Sequence, residues 1–294
     1  MIRLGYACIN TSLPTSSRSF RLANYTEERM IEVSGKNISA LMNILQWNLK
    51  RGIMVFRISS GLIPLGSHPV NSGAWKAVLK KELEDIGTFV KENGMRVSMH
   101  PGQYTVLNTP NETTYKNTLL DLQYHTSVLE CMGLDCNHVL VLHGGGVYGD
   151  KEKSKALLIE RIVDLPAEIR SRLVLENDER NYSAGEILEV CNRVELRGVF
   201  DVFHHQIFPE KTDDSLRDII LQFAETWTGD GRQKIHYSNQ DPDKSRGAHS
   251  VGIDVNEFKR FYSEIKDLDF DVMLETKDKE KSVASLRESL PELR

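Results

Sequence analysis

Short aliphatic runs return eight times along the chain, each followed by a charged stretch of helical length, and this rhythm limits the fold more than any single motif. The runs are RLGYACI (3–9), IMVFRISS (53–60), RVSMH (96–100), HVLVLHG (138–144), RLVLEN (172–177), GVFDVFHH (198–205), KIHYS (234–238) and DVMLETK (271–277). Nearly continuous apolar runs of this kind belong to strands buried on both faces, as in parallel sheets covered by helices. The intervening SGAWKAVLKKELEDIGTFVKENG (72–94) reads as one amphipathic helix stopping at Gly94, and TDDSLRDIILQFAETW (212–227) opens on capping residues and first-turn acids. Eight strand-helix units predict an α/β chain closed into a single (β/α)8 TIM barrel, with the active site at the C-terminal strand ends. An open doubly wound sheet is the alternative. The 294 residues show no compositional break, so one domain spans 1–294.

Composition removes several function classes. No window approaches the roughly 20 apolar residues of a membrane helix, and the first residues lack an apolar signal region. Cys8, Cys131, Cys136 and Cys191 show no metal-type pairing, which suits reduced thiols. The expectation is a cytoplasmic monomer with no membrane partner. A net charge of −5 argues against a broad nonspecific grip on nucleic acid, although bound cations would reverse the local field at a site.

Function is legible in where the polar residues fall. In five runs a metal-ligand residue type closes the apolar stretch: Met99 then His100, Leu142 then His143, Leu175 then Glu176, Phe200 then Asp201, Leu274 then Glu275. In a parallel barrel these ends converge on one face. His204, His236 and His249 join them. A lone histidine closing a strand is ordinarily a satisfied surface group. Of the nine histidines, however, all but His125 and His138 sit at or just past such an end. Mixed imidazole and carboxylate ligands suit zinc, manganese or iron, and eight of them are too many for one ion. Two or three divalent ions bridged by carboxylates suit phosphodiester cleavage, because they activate water, neutralise the phosphate and stabilise the leaving oxygen. Asp201 and His204 are three apart and would face opposite sides of a regular strand, so the strand must end between them.

Three other features carry less. GGGVYGDK (144–151) fails as a phosphate-binding loop, since Asp150 stands where lysine belongs and no Ser or Thr follows Lys151. Cys8 reads as packing rather than as a nucleophile. SSRSFR (16–21) is equally a phosphate contact or a solvated loop.

LGYACIN (4–10), LGSHP (65–69), HPGQY (100–104), LHGGG (142–146), LEND (175–178), FDVFHH (200–205), KIHYS (234–238), AHS (248–250) and LETKDKE (274–280) together resemble the ultraviolet damage endonucleases, a single-domain barrel family related to endonuclease IV. The likeness spans nearly the whole chain. It implies a DNA repair enzyme that nicks damaged double-stranded DNA immediately 5′ of cyclobutane pyrimidine dimers and (6-4) photoproducts, leaving a 3′ hydroxyl, with abasic sites as a further candidate substrate. It also implies His100, His143, Glu176, Asp201, His204, His236, His249 and Glu275 as ligands of manganese, with zinc or another divalent metal as the variant. Glu176 and Glu275 would hold or bridge the ions. Gln103 and Tyr104, pushed outward by Pro101-Gly102, would probe the duplex opposite the lesion, and Tyr6, Asn10 and His68 would contact lesion or backbone. Lys234 lies two residues before His236 on the same strand face. Among cations it would lose its proton unless neighbouring acids outweigh them; the alternatives are a charged lysine in a salt bridge to one of those acids or, as the resemblance supports, a neutral amine converted to a carboxylated lysine with a catalytic part. His205 has no assigned role. A metal-dependent sugar isomerase of the same architecture is the rival reading, and a non-catalytic damage binder would leave the ligand set without purpose.

Overall fold

Eight parallel strands close on one another in chain order: β1 (Arg3–Cys8), β2 (Val55–Ile58), β3 (Arg96–Met99), β4 (Leu140–His143), β5 (Leu173–Glu176), β6 (Arg197–Asp201), β7 (Lys234–Tyr237) and β8 (Asp271–Leu274). Helices lie between them, and β8 pairs back onto β1 through Arg3 opposite Asp271 and Tyr6 opposite Leu274. The structure is a computed structural model and describes residues 1–229 and 231–293. It is the expected (β/α)8 barrel rather than an open sheet. Among the described residues no helix is long and apolar enough to cross a membrane.

Strand alternation divides the apolar residues into two sets. Leu4, Phe56, Val97, Leu142, Leu175, Phe200, Ile235 and Val272 belong to the main core beneath the helices. The intervening positions form two separate small clusters within the barrel, Ala7 with Val55 and Met273, and Val139 with Val141, Val174, Val199 and Trp227. The N-terminal end is closed by buried Asp271, whose carboxylate accepts from Arg3 (2.7 and 2.9 Å), Arg96 (2.9 Å) and Arg232 (2.8 Å). Burial alone would raise that carboxyl, but Arg3 and Arg96 hold it below its usual range. These bonds fasten β1, β3 and β8 together at the barrel's stability end.

Three sequence expectations change in detail. The helix expected over 72–94 is two, Trp75–Val78 and Lys80–Glu92, because Leu79 leaves helical backbone at φ −103, ψ 19. Gly94 does stop the second, at φ 61. The helix expected from Thr212 starts at Leu216, where Ser215 and Asp218 form a capping box. GVFDVFHH is half strand and half helix: β6 ends at Asp201, whose side chain caps the helix Val202–Ile207 by accepting from the His204 amide at 2.8 Å.

Candidate metal centre

Parallel register builds the site. His143 is the ladder partner of Glu176 across β4 and β5, and Asp201 that of His236 across β6 and β7, so each pair projects from neighbouring strands at one level. His100 follows the last residue of β3, and Glu275 the last of β8. Two ligand groups result, His100–His143–Glu176 and Glu176–Asp201–His236–Glu275, each with one ligand atom per residue within 4.8 Å of all the others. Glu176 belongs to both. Its Oε2 lies 3.0 Å from His100 Nε2 and 3.6 Å from His143 Nε2, while its Oε1 lies 2.5 Å from His236 Nδ1.

Backbone carbonyls fix the imidazoles. His100 Nδ1 sits 2.9 Å from the Pro101 oxygen, and His204 Nδ1 sits 3.0 Å from the Asn177 oxygen. A carbonyl only accepts, so both Nδ1 atoms carry a hydrogen and Nε2 is the atom that would meet a metal, on His204 only after it gives up its own proton. Asn177 also receives the Asp201 amide at 2.8 Å and donates to the Asp201 oxygen at 3.0 Å, locking the ends of β5 and β6 together.

Burial would neutralise the carboxylates, and neighbouring charges oppose it. Glu176 would be raised by burial, but His236 and His143 hold it well below the usual range. Glu275 is likewise held low, because the Arg57 guanidinium pairs with it. Burial lowers the His143 pKa to about 4. Burial also opposes charge on His204, yet Asp201 outweighs it and raises His204 to about 9. Asp201 is itself raised, by burial and then by the nearby Glu176 and Glu275. Raised to about 9, His204 carries the pair's proton at neutral pH.

Unmet polar atoms test the fit to metal. His143 Nδ1, Asp201 Oδ2, His236 Nε2 and His249 Nδ1 are buried without hydrogen-bond partners, a costly state that bound cations would relieve. The donor set, imidazole nitrogen with carboxylate oxygen, suits zinc, manganese or iron. Above the cluster a groove of about 550 Å³ is lined by Gln103, His143, Tyr148, Glu179, His204, His249 and Glu275 among others. A larger cleft of about 670 Å³, lined by Leu173, Arg197 and Gly231, holds none of these ligands.

The remaining candidate residues divide. Gln103 and Tyr104 are exposed, Tyr104 at 83%, on the loop after β3. That loop is clamped to the one after β4 by Asn108, which donates to the Gly146 oxygen at 2.7 Å and accepts from its amide at 3.1 Å. Gly145 permits the clamp, because at φ 90 its missing Cβ would lie 2.2 Å from Asn108 Oδ1. His68 is exposed and accepts from the Val70 amide, outside both ligand groups. His249 sits beside His204 in a loop bridge with Gln240.

Tyr6 and Asn10 correct the expectation of DNA contacts. Tyr6 is fully buried on the outward face of β1, donating to Asn48 at 2.6 Å and accepting from Asn10 at 2.8 Å, and Asn10 is 2% exposed. Strand alternation turns Tyr6 toward the helices, away from the groove. Lys234 does share the inward face with His236, but it is the first residue of β7 and its Nζ donates to Ser98 Oγ at 2.7 Å. Burial, followed by the charge of Arg96, pushes that amine well below its usual range. His205 packs edge-on against Phe200, with ring centroids 5.4 Å apart, which is a core contact.

Arg57 and Asn177 escaped the sequence reading. Arg57 interrupts the apolar run of β2 as Asp201 interrupts that of β6, so the same signal was present. Asn177 gave no signal beyond lying next to Glu176.

The sequence profile of the UV-endonuclease UvdE family matches residues 2–294. The UV DNA damage endonuclease of Clostridium perfringens is 40% identical over 297 residues, covering 99% of this chain and 71% of that protein. That of Bacillus pumilus is 32% identical over 304 residues, covering 99% and 95%. Among solved structures, SacUVDE superposes with a TM-score of 0.94 at 39% identity, covering 100% of this chain and 99% of that one. Endonuclease IV from Thermus thermophilus (TM-score 0.61, 14% identity, 99% of both chains) and D-psicose 3-epimerase from Clostridium cellulolyticum (0.54, 14%, 92% and 85%) share the fold alone.

Proposed function

The chain belongs to the UV-endonuclease UvdE family and is an endonuclease acting on DNA, and on that premise we propose that it nicks duplex DNA immediately 5′ of cyclobutane pyrimidine dimers and (6-4) photoproducts, using two or three divalent ions, manganese first among them. Abasic sites fall within the same substrate class. The observation that carries this reading is Glu176, a buried carboxylate common to two ligand groups and therefore placed to bridge two cations.

When bound, such ions lower the pKa of water and offset charge on the phosphate and on the leaving 3′ oxygen. The protein supplies the rest. Glu176, Asp201, Glu275, His100, His143 and His236 would hold the deep positions. Arg57 holds Glu275 in place from inside the barrel. Gln103 and Tyr104 stand free on a clamped loop, suited to fill the stack that an extruded dimer vacates. The ligand groups come from a single barrel, which supports one chain as the acting unit. The four cysteines are unpaired, in keeping with a cytoplasmic setting.

Lys234 is proposed to take up carbon dioxide. Its buried amine has a hydroxyl partner, Ser98, at 2.7 Å, which speaks against the alternative of a salt bridge. A neutral amine attacks carbon dioxide and releases one proton, giving a carbamate anion that Arg57 and Arg96 would stabilise.

Incubation of the protein with manganese and either irradiated plasmid or aldoses tests the function. Conversion of irradiated supercoiled plasmid to the nicked form, with aldoses unchanged, is expected. Sugar interconversion without nicking would favour the isomerase, and binding of damaged DNA without cleavage would favour the non-catalytic binder.

A further inference from the structure

GGGVYGDK (144–151), which fails as a phosphate-binding loop, forms the connection after β4 and holds four glycines, yet a tyrosine fills one of its left-handed positions. The Val147 oxygen accepts from the Asp150 amide at 2.8 Å, closing a turn whose central residues, Tyr148 at φ 43 and Gly149 at φ 82, both have positive φ. Turns of this kind take Asn, Asp or Gly at the first central position, because a larger side chain crowds the backbone there. A bulky residue persists in such backbone only where its surroundings enforce it, and strain of this sort collects at ligand contacts.

The turn is enforced from both sides. The Val147 oxygen also accepts from Ser154 Oγ at 2.7 Å, and the Asp150 side chain caps the helix Lys151–Val163 by accepting from the Lys153 amide at 3.1 Å. On the other side the Gly146 oxygen accepts from Asn108 at 2.7 Å and from the Tyr182 hydroxyl at 3.2 Å. These bonds hold an aromatic ring out at the surface: Tyr148 is 53% exposed. It borders both the groove above the ligand cluster, together with Gln103, and a depression of about 290 Å³ lined by Asn108, Pro110 and Lys153. The plainer account is packing of the ring onto its own loop, since a Cβ on Gly146 would come within 2.9 Å of ring atoms. That contact leaves the ring half-exposed, at a position where asparagine would relieve the backbone.

A fixed aromatic face beside a site that acts on opened duplex suits a nucleobase, because every base presents a π face whatever its identity. We propose that Tyr148 stacks on an unpaired base of the damaged duplex, as a second aromatic contact on the loop that Asn108 clamps to the one carrying Tyr104. The inference rests on the reading that the enzyme extrudes damaged bases. Stacking needs an opened duplex, so the contact is made with damaged DNA and not with intact DNA.

Single-turnover nicking of a duplex carrying one cyclobutane dimer, with enzyme titrated in excess under manganese, tests it on wild type, Tyr148→Phe and Tyr148→Asn, alongside urea unfolding. Tyr148→Asn should need about tenfold or more enzyme for half-saturation, while its urea midpoint stays at or above that of wild type, because asparagine suits the turn. Tyr148→Phe, which keeps the ring, should match wild type. Undamaged competitor duplex should inhibit all three proteins equally. Wild-type half-saturation in Tyr148→Asn would overturn the stacking contact, and so would an equal loss in Tyr148→Phe. A Tyr148→Asn midpoint below wild type would overturn it as well, by showing that the ring packs the loop. A wild type that leaves the dimer duplex uncut would instead refute the underlying reading.

Discussion

Manganese titrated into the metal-free protein should displace a proton, and His204 is its source. Asp201 raises His204 to about 9, so near pH 7 the ring is protonated at both nitrogens and Nε2 has no lone pair to offer. Two pH units below that value only about 1 ring in 100 is neutral, which lowers affinity at this position by about 100-fold, or about 2.7 kcal/mol. Affinity for the ion that His204 would hold should therefore rise close to tenfold per pH unit from about pH 7 and flatten as pH approaches the His204 value. Titration calorimetry under anaerobic conditions, in buffers of different ionisation enthalpy, reads both the affinity and about one proton released. The metal-free fold shows the reverse trend. A histidine raised on folding from 6.5 to about 9 stabilises the folded state by about 3 kcal/mol. That contribution is fully present below 6.5 and is lost as pH rises through the folded value. Affinity independent of pH between about pH 7 and about 8.5, with no buffer-dependent heat, would refute the assignment of the proton to His204.

Other perturbations separate contact from support. Gln103→Ala with Tyr104→Ala should weaken binding to irradiated duplex by about 1–3 kcal/mol while metal content stays unchanged, and unaltered affinity in a gel-shift titration would exclude a wedge. Tyr6→Phe removes a buried hydroxyl held by Asn48 and Asn10 and should cost about 1–3 kcal/mol in urea unfolding, with damaged-duplex affinity retained; a selective loss of affinity would return Tyr6 to the DNA surface. Labelled bicarbonate should give a carbamate carbon signal at neutral to mildly alkaline pH, absent from Lys234→Ala, and a wild type without that signal would leave Lys234 as the free amine bonded to Ser98.

The barrel and its candidate ligand cluster were legible because both follow from strand periodicity. An apolar run ending in His, Glu or Asp marks the C-terminal edge of a parallel strand, and five such ends mapped onto His100, His143, Glu176, Asp201 and Glu275. Asp201 was legible a second way, since its distance from His204 required the strand to stop. Tyr6 was misplaced because a motif does not say which strand face a residue takes; alternation from Arg3 and Gly5 sends it outward, beneath the helix Glu27–Leu49. Lys234 was placed on the correct face but not at its depth, since the start of β7 relative to its neighbours is set by register with Asp271.

Glu176→Gln is the most direct test of a cation-bridging cluster, since it keeps the shape of the one side chain common to both groups and removes its charge. Bound manganese per chain and nicking of irradiated plasmid should be measured together on the same preparation, under saturating manganese and with folding checked by circular dichroism. Expected is the loss of at least one tightly held ion, with nicking reduced on the order of 1000-fold or more. Wild-type cleavage by a folded Glu176→Gln protein, or wild-type metal content, would contradict it.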